Sequence, residues 1–123
     1  NFKGKILIIS EGWCGDAGQT VPAVSLFFKG KNEVRIVYRD ENLDLMDQFL
    51  TNGTRSIPIV VILDENDGVI AHWGPRPAYG TELLNKYKAY PENYPKTQFY
   101  NDLQVYYAKN RGYDVITEIL DLI

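Results

Sequence analysis

The single cysteine of this 123-residue chain lies in the stretch EGWCGDA, residues 11–17. A cysteine reacts as its thiolate, which attacks disulfides to form mixed disulfides. Trp13 precedes Cys14 and Gly15 follows it, a setting typical of a redox site. A two-thiol site of the usual kind would have a second cysteine where this sequence has Ala17. Three interpretations follow: a working one-thiol site, a disabled two-thiol site, or a buried cysteine without chemistry.

The residues around Cys14 predict a strand that runs into a helix. Residues 5–10 (KILIIS) are rich in β-formers, and the apolar positions from 17 to 28 repeat at helical spacing before Gly30. A helix N-terminus favours a thiolate through its free amide groups and its dipole, by about 0.3–1 kcal/mol at an exposed site. Asp16 opposes this effect because its carboxylate repels the thiolate. We therefore expect a less acidic thiol than in a two-thiol site.

The next part of the chain predicts a second βα unit and then a β-hairpin. Residues 34–39 alternate as a strand with Val34, Ile36 and Tyr38 on one face. Apolar residues between 43 and 50 then repeat at helical spacing, and the continuously apolar run 57–63 predicts a central strand buried on both faces. DENDG at 64–68 predicts the turn of a hairpin that returns along 69–73. The predicted order is βαβ followed by αββ.

The segment 74–123 predicts helices that are rich in aromatic residues. Eight of the nine tyrosines fall between Tyr79 and Tyr113. Thr81 is a plausible cap for the first of these helices and Asp114 for the last. We expect the amphipathic rings to pack on the sheet rather than to form a recognition surface.

Four features together resemble the thioredoxin family. They are Trp13-Cys14-Gly15 at a helix start, Pro22 within that helix, residues 55–58 (RSIP) opening a strand, and Gly74 after the hairpin. Pro22 lies eight residues after Cys14, Pro58 lies 44 after it, and Gly74 comes sixteen residues after Pro58. The variant WCGDA is similar to that of a subgroup of bacterial thioredoxin-like proteins.

The resemblance implies an α/β, thioredoxin-like fold, a central mixed β-sheet flanked by helices. It covers about residues 5–90 and lacks the leading strand and helix of full thioredoxins. We predict a single domain over residues 1–123, with its core at about 5–90 and a helical C-terminal extension at about 91–123.

The resemblance also implies a thiol–disulfide oxidoreductase that acts on a protein or peptide partner. Cys14 would be its nucleophile, and the residues that bind or orient the partner would be Trp13, Gly15, Asp16, Ile57 and Pro58. Pro58 matches the family's cis-proline, beside which the backbone of Ile57 would pair with an extended substrate.

The sequence differs from the family at two positions that the two-thiol mechanism uses. Ala17 replaces the family's resolving cysteine, and Ile8 stands where the family has a buried carboxylate that assists proton transfer. The thiol that resolves a mixed disulfide must then come from outside, from glutathione, another low-molecular-weight thiol or a partner cysteine. The alternative is a redox-inactive binding module that recognises a peptide or protein.

Composition narrows the remaining classes of function. The net charge is −3, the pI is about 5.1 and no basic run is present, so nucleic-acid binding is not expected. No apolar stretch has the length of a membrane span. One cysteine suits a reducing compartment, and we expect a cytoplasmic protein. His72 is the only histidine and predicts no metal site, while Trp73 beside it is expected in the core.

Overall fold

A computed structural model describes residues 2–11 and 15–123, and describes side chains in this range except those of residues 15–19. Trp13 and Cys14 lie outside the described residues. Within the described residues, four strands and five α-helices follow one another along the chain. They are β1 (Lys5–Ser10), α1 (Gly15–Phe28), β2 (Val34–Tyr38), α2 (Leu43–Met46), β3 (Ile59–Leu63), β4 (Val69–Trp73), α3 (Ala78–Ala89), α4 (Lys96–Asn110) and α5 (Tyr113–Asp121), with a 3₁₀ turn at Arg39–Glu41 before α2.

The strands form one mixed sheet in the order β2-β1-β3-β4. β1 and β2 are parallel and joined by α1, whereas β3 runs antiparallel to β1 and β4 antiparallel to β3. β3 is an interior strand and its residues from Ile59 to Ile62 are buried, as the continuously apolar run predicted. The α/β architecture, a central mixed sheet flanked by helices, is confirmed.

Each face of the sheet carries its own apolar cluster, because successive strand residues point to opposite sides. Ile6 and Ile8 of β1 face one cluster and Ile9 the other. Both clusters are closed to solvent, and Ile8 is fully buried. The first cluster comprises Ile6, Ile8, Val24, Phe28, Val60, Ile62, Trp73, Val115 and Ile119, and the second Ile9, Met46, Phe49, Ile57, Ile59 and Val61.

The helices after β4 pack in two different ways. α5 contacts α1 and adds Val115 and Ile119 to the first sheet cluster. α3 and α4 instead pack on each other around Leu83, Tyr94 and Phe99, and this separate cluster also contains Tyr107 and Leu103. The prediction that the tyrosine rings pack on the sheet is therefore wrong for this pair, since the two helices bury their rings against each other.

The predicted cap of the first C-terminal helix is wrong. α3 begins at Ala78, with Pro77 at its N-cap, so Thr81 lies inside the first turn. The hydroxyl of Thr81 turns back to the carbonyl oxygen of Pro77 at 3.5 Å. Proline suits a helix start because its fixed φ matches the extended entry and its missing N–H is not needed there.

The predicted cap of the last helix is wrong as well. Gly112 holds the N-cap position in a left-handed conformation, and Asp114 lies in the first turn of α5. The carboxylate of Asp114 accepts a 2.6 Å hydrogen bond from the Tyr106 hydroxyl, and its backbone N–H donates to Asn110 Oδ1 at 2.7 Å. Burial, reinforced by this hydrogen bond, raises the pKa of Tyr106. Asp114 therefore joins α5 to α4 instead of capping α5.

The second βα unit is shorter and more exposed than its pattern suggested. Val34, Ile36 and Tyr38 share a face of β2, yet Ile36 and Tyr38 are about half exposed because β2 is an edge strand. α2 ends at Met46, and of the later apolar positions Phe49 is buried while Leu50 is exposed. Among the helices described, none is long and apolar enough to cross a bilayer.

Candidate functional site

Several elements begin or end at the same edge of the sheet. This edge is formed by the ends of the strands and is distinct from the edge strands β2 and β4. Ser10 at the end of β1 lies opposite Tyr38 at the end of β2, and Ile9 lies opposite Ile59 at the start of β3. Trp73 at the end of β4 pairs with Val60, so the chain at Gly74 leaves the sheet at this same edge. The structure therefore brings the predicted site segments, the end of β1, the Ile57–Pro58 segment and Gly74, to one edge.

The structure describes only part of the site predicted around the cysteine. Gly15 and Asp16 are the first two residues of α1, the position that the pattern predicted for them. The side chain of Asp16 is outside the described set, as are Trp13 and Cys14 entirely. Pro22 lies inside α1, where its ring removes one backbone donor.

Pro58 is held in a closely packed segment. The Ile57–Pro58 peptide bond is cis, and Ile57 is only 6% exposed within the second sheet cluster. Gly74 has a φ of +131°, and a Cβ placed there would collide with the carbonyl oxygen of Pro58 and lie 3.2 Å from the Cα of Ile59. Only glycine allows this approach, so Gly74 and Pro58 form one packed unit at the sheet edge.

Charged groups anchor the segment that leads to Pro58. Arg55 donates two hydrogen bonds to Asp47, from Nε to Oδ1 at 2.8 Å and from Nη2 to Oδ2 at 3.1 Å. These hydrogen bonds lower the pKa of Asp47 and raise that of Arg55. The guanidinium of Arg39 donates to the carbonyl oxygen of Arg55 at 3.1 Å. Hydrogen bonds therefore fix both the side chain and the backbone of Arg55, three residues before Pro58.

Sequence reasoning missed Arg39 and Asp47, since neither belongs to the motifs that it used. The signal available was Arg55 itself, because an arginine guanidinium frequently forms bidentate hydrogen bonds with a carboxylate. Glu11, in the same stretch as Cys14, also makes a contact that the sequence did not predict: its Oε2 accepts the backbone N–H of Asp40 at 3.2 Å. Glu11 thus links the end of β1 to the 3₁₀ turn that follows β2.

Two further features bear on the chemistry of the edge. Ile8, the residue at the family's carboxylate position, is fully buried among apolar side chains and offers no proton acceptor. His72 lies on β4, with its ring edge-on to Phe49 at a centroid distance of 5.3 Å. In the described part of the chain, no three His, Cys, Asp or Glu side chains converge as metal ligands.

Three solved protein structures are similar to this chain. An HIV epitope-scaffold matches with a TM-score of 0.69 at 19% identity, covering 99% of this chain and 66% of that one. A protein of unknown function from Pseudomonas aeruginosa matches with a TM-score of 0.57 at 23% identity, covering 89% of this chain and 68% of its own. A thioredoxin from Fasciola hepatica matches with a TM-score of 0.48 at 18% identity, covering 71% and 80%.

The first two likenesses concern the fold alone, and this chain spans just under two thirds of the epitope-scaffold. A comparison with curated protein sequences returns no match. The family model described as thioredoxin matches residues 1–88, which is more than two thirds of the chain. The match includes the strand–helix junction, the Pro58 segment and Gly74, and it shows that this chain belongs to the thioredoxin family.

Proposed function

We propose that the chain is a monothiol thiol–disulfide oxidoreductase that forms mixed disulfides through Cys14 with a protein or peptide partner. The observation that carries this proposal is the packed Pro58–Gly74 unit at the edge where β1 ends. α1 begins there at Gly15, the residue directly after Cys14 in the sequence. In this proposal Ile57 and Pro58 orient the partner, while Trp13, Gly15 and Asp16 shape its approach.

The reaction consists of two balanced thiol–disulfide exchanges. In the first, the Cys14 thiolate attacks one sulfur of a partner disulfide, so that a new S–S bond forms and the other partner sulfur leaves as a thiolate. In the second, a glutathione thiolate attacks the partner sulfur of the mixed disulfide, so that a glutathione–partner disulfide forms and the Cys14 thiolate leaves. The electron pair comes from glutathione because Ala17 supplies no resolving thiol. Glutathione in this role fits a reducing setting, and we propose a cytoplasmic one.

The acidity of Cys14 follows from two opposing effects. The fourteen-residue helix α1 offers unpaired amide groups at its start, which stabilise a thiolate by about 0.3–1 kcal/mol. The carboxylate of Asp16 destabilises the same thiolate by charge repulsion. We therefore expect the Cys14 thiol to be less acidic than the nucleophilic thiol of a two-thiol site.

The test measures the thiol directly. The rate of alkylation of the native protein is recorded against pH, and the protein is then incubated with oxidised glutathione and with a disulfide-bearing peptide. Intact mass should show one glutathionyl or peptidyl adduct, which reduced glutathione then removes. Cys14→Ser is the matched control and should give no adduct. A native thiol that does not react with alkylating reagent, or that forms no mixed disulfide, would contradict the proposal.

The second candidate function is a redox-inactive thioredoxin-fold module that binds a peptide or protein. Ile8 favours it, because a fully buried isoleucine replaces the proton acceptor that the family uses. The Pro58–Gly74 unit could then serve recognition alone. In that case Cys14→Ser should bind the same partner with unchanged affinity, whereas Pro58→Ala should weaken binding. Loss of binding in Cys14→Ser would refute this second candidate.

A further inference from the structure

The 3₁₀ turn at Arg39–Glu41 comes directly after β2, and hydrogen bonds from Asn42 hold it in place. Asn42 Nδ2 donates to the carbonyl oxygen of Tyr38 at 2.9 Å. The backbone N–H of Asn42 donates to the carbonyl oxygen of Arg39 at 3.0 Å. One asparagine therefore closes the turn with both its side chain and its backbone, which fixes the course of the chain where β2 ends.

Two consecutive residues of this turn bond the two segments of the candidate site. The backbone N–H of Asp40 donates to Glu11 Oε2 at 3.2 Å, and Glu11 lies three residues before Cys14. Arg39 Nη1 donates to the carbonyl oxygen of Arg55 at 3.1 Å, and Arg55 leads into the segment with the cis peptide bond. The turn therefore connects the segment before the cysteine to the segment before the cis-proline.

The side chain of Arg39 is suited to holding a backbone group in one orientation. It is only 19% exposed, and its Nε donates to Asp40 Oδ1 at 3.0 Å. Arginine presents its donors in a rigid planar fork, so the bond from Nε also sets the direction of Nη1. A hydrogen bond from a charged donor is stronger than one between neutral groups. Arg39 therefore fixes the direction of the Arg55 carbonyl.

This bond acts on the exposed half of the segment that contains Pro58. Ile57 and Pro58 are buried, whereas Arg55 is exposed, so the orientation of Arg55 depends on hydrogen bonds rather than on packing. The carbonyl of Arg55 belongs to the planar peptide group that joins it to Ser56, and holding the oxygen orients that whole group. The backbone that enters the cis-proline segment is therefore set by Arg39.

We propose that Arg39 is a positioning residue of the candidate site, which orients the segment before Pro58 for a protein or peptide partner. The inference rests on the function proposed above, in which Ile57 and Pro58 orient the partner. Arg39 takes no part in the exchange of disulfide bonds and acts through the Arg55 carbonyl. Its loss should therefore weaken the capture of a peptide while the Cys14 thiol keeps its reactivity.

Three variants separate this role from a general effect on the fold. Arg39→Met keeps an unbranched side chain but removes the donors to Arg55, while the bond to Glu11 survives because it uses a backbone N–H. Arg39→Lys keeps one charged donor and should restore part of the effect. Arg35→Met is the matched control, because it removes the same residue type from an exposed position near the start of β2.

The first measurement uses the free, reduced protein and needs no partner. Backbone ¹⁵N relaxation gives the order parameters of Arg55 and Ser56, which are about 0.85 in rigid backbone. Arg39→Met should lower these order parameters, whereas Arg35→Met should leave them at the wild-type values. Unchanged order parameters in Arg39→Met would overturn the proposal, because another contact would then hold the segment.

The second measurement follows mixed-disulfide formation by intact mass, at increasing concentrations of a short linear peptide dimer joined by one disulfide bond. Arg39→Met should raise the half-saturating peptide concentration about three- to tenfold, with Arg39→Lys between it and wild type. The limiting rate and the rate of Cys14 alkylation should stay at the wild-type values. Partial unfolding alone would lower the amount of adduct and leave the half-saturating concentration unchanged.

The outcomes distinguish this inference from the proposed function. Equal half-saturating concentrations in wild type and Arg39→Met would overturn the inference alone, and so would an equal increase in Arg35→Met. A wild-type protein that forms no mixed disulfide would refute the proposed function, and the inference with it. The wild-type adduct therefore shows which of the two has failed.

Discussion

Glu118 joins the C-terminal helices to the sheet, and its removal should weaken the fold measurably. Its Oε1 accepts the indole N–H of Trp73 at 2.9 Å, and its Oε2 accepts the backbone N–H of Ala78 at 3.0 Å. Trp73 ends β4 and is only 7% exposed, as its predicted core position required, while Ala78 begins α3. One carboxylate on α5 therefore fixes the end of a strand and the start of a helix.

The expected loss follows from what each donor faces afterwards. Glu118→Ala leaves the indole N–H of Trp73 buried without a partner, which costs about 1–3 kcal/mol. The N–H of Ala78 is exposed and can bond water, so its loss, together with that of the negative charge at the start of α3, costs about 0.3–1 kcal/mol. We expect a total loss of about 1–4 kcal/mol in the free energy of unfolding. Glu118→Gln keeps one acceptor and should lose about half as much.

Urea unfolding followed by far-ultraviolet circular dichroism measures these differences. Glu82→Ala is the matched control, because Glu82 is an exposed glutamate on α3, and its loss should stay within about 0.5 kcal/mol. The reasoning is refuted if Glu118→Ala costs no more than Glu82→Ala. It is also refuted if Glu118→Gln is as destabilised as Glu118→Ala, since the acceptor oxygen that glutamine retains would then contribute nothing.

Three further outcomes are expected. Gly74→Ala should slow mixed-disulfide formation by displacing Pro58, whereas Gly53→Ala, also at positive φ but with open space around it, should leave that rate unchanged; equal rates in all three proteins would contradict this. Ala17→Cys should gain disulfide reductase activity if only the resolving thiol is missing, and continued inactivity in an insulin-reduction assay would point to wider remodelling. Burial raises the pKa of Tyr94 from 10.0 to about 12, so its stabilising contribution is present below pH 10 and lost as the pH rises through about 12. The stability of Tyr94→Phe should then fall less steeply over this range in alkaline urea titrations, and an unchanged slope would exclude this role.

Local patterns of the sequence were sufficient to predict the order of the strands and helices in this protein. The β-rich run before Cys14, the helical spacing after it, the buried run of β3 and the DENDG turn each depend on neighbours within one element. Gly30 ends the first helical stretch at a φ of +77°, a conformation that glycine adopts without steric cost. The spacing of Pro22, Pro58 and Gly74 resembled that of the thioredoxin family; Pro58 directly precedes β3 and Gly74 directly follows β4, while Pro22 lies inside α1.

Only the tertiary structure decided which side chains form hydrogen bonds with one another. Asp114 and Thr81 have the residue types of helix caps, yet Asp114 instead bonds a tyrosine on α4, and a glutamate 40 residues further along the chain accepts the first amide of α3. The exposure of Ile36 likewise depends on β2 being at the sheet edge, which no local pattern specifies. Periodicity reflects contacts within an element, whereas capping partners, edge positions and the close approach of Gly74 to Pro58 depend on how distant elements pack.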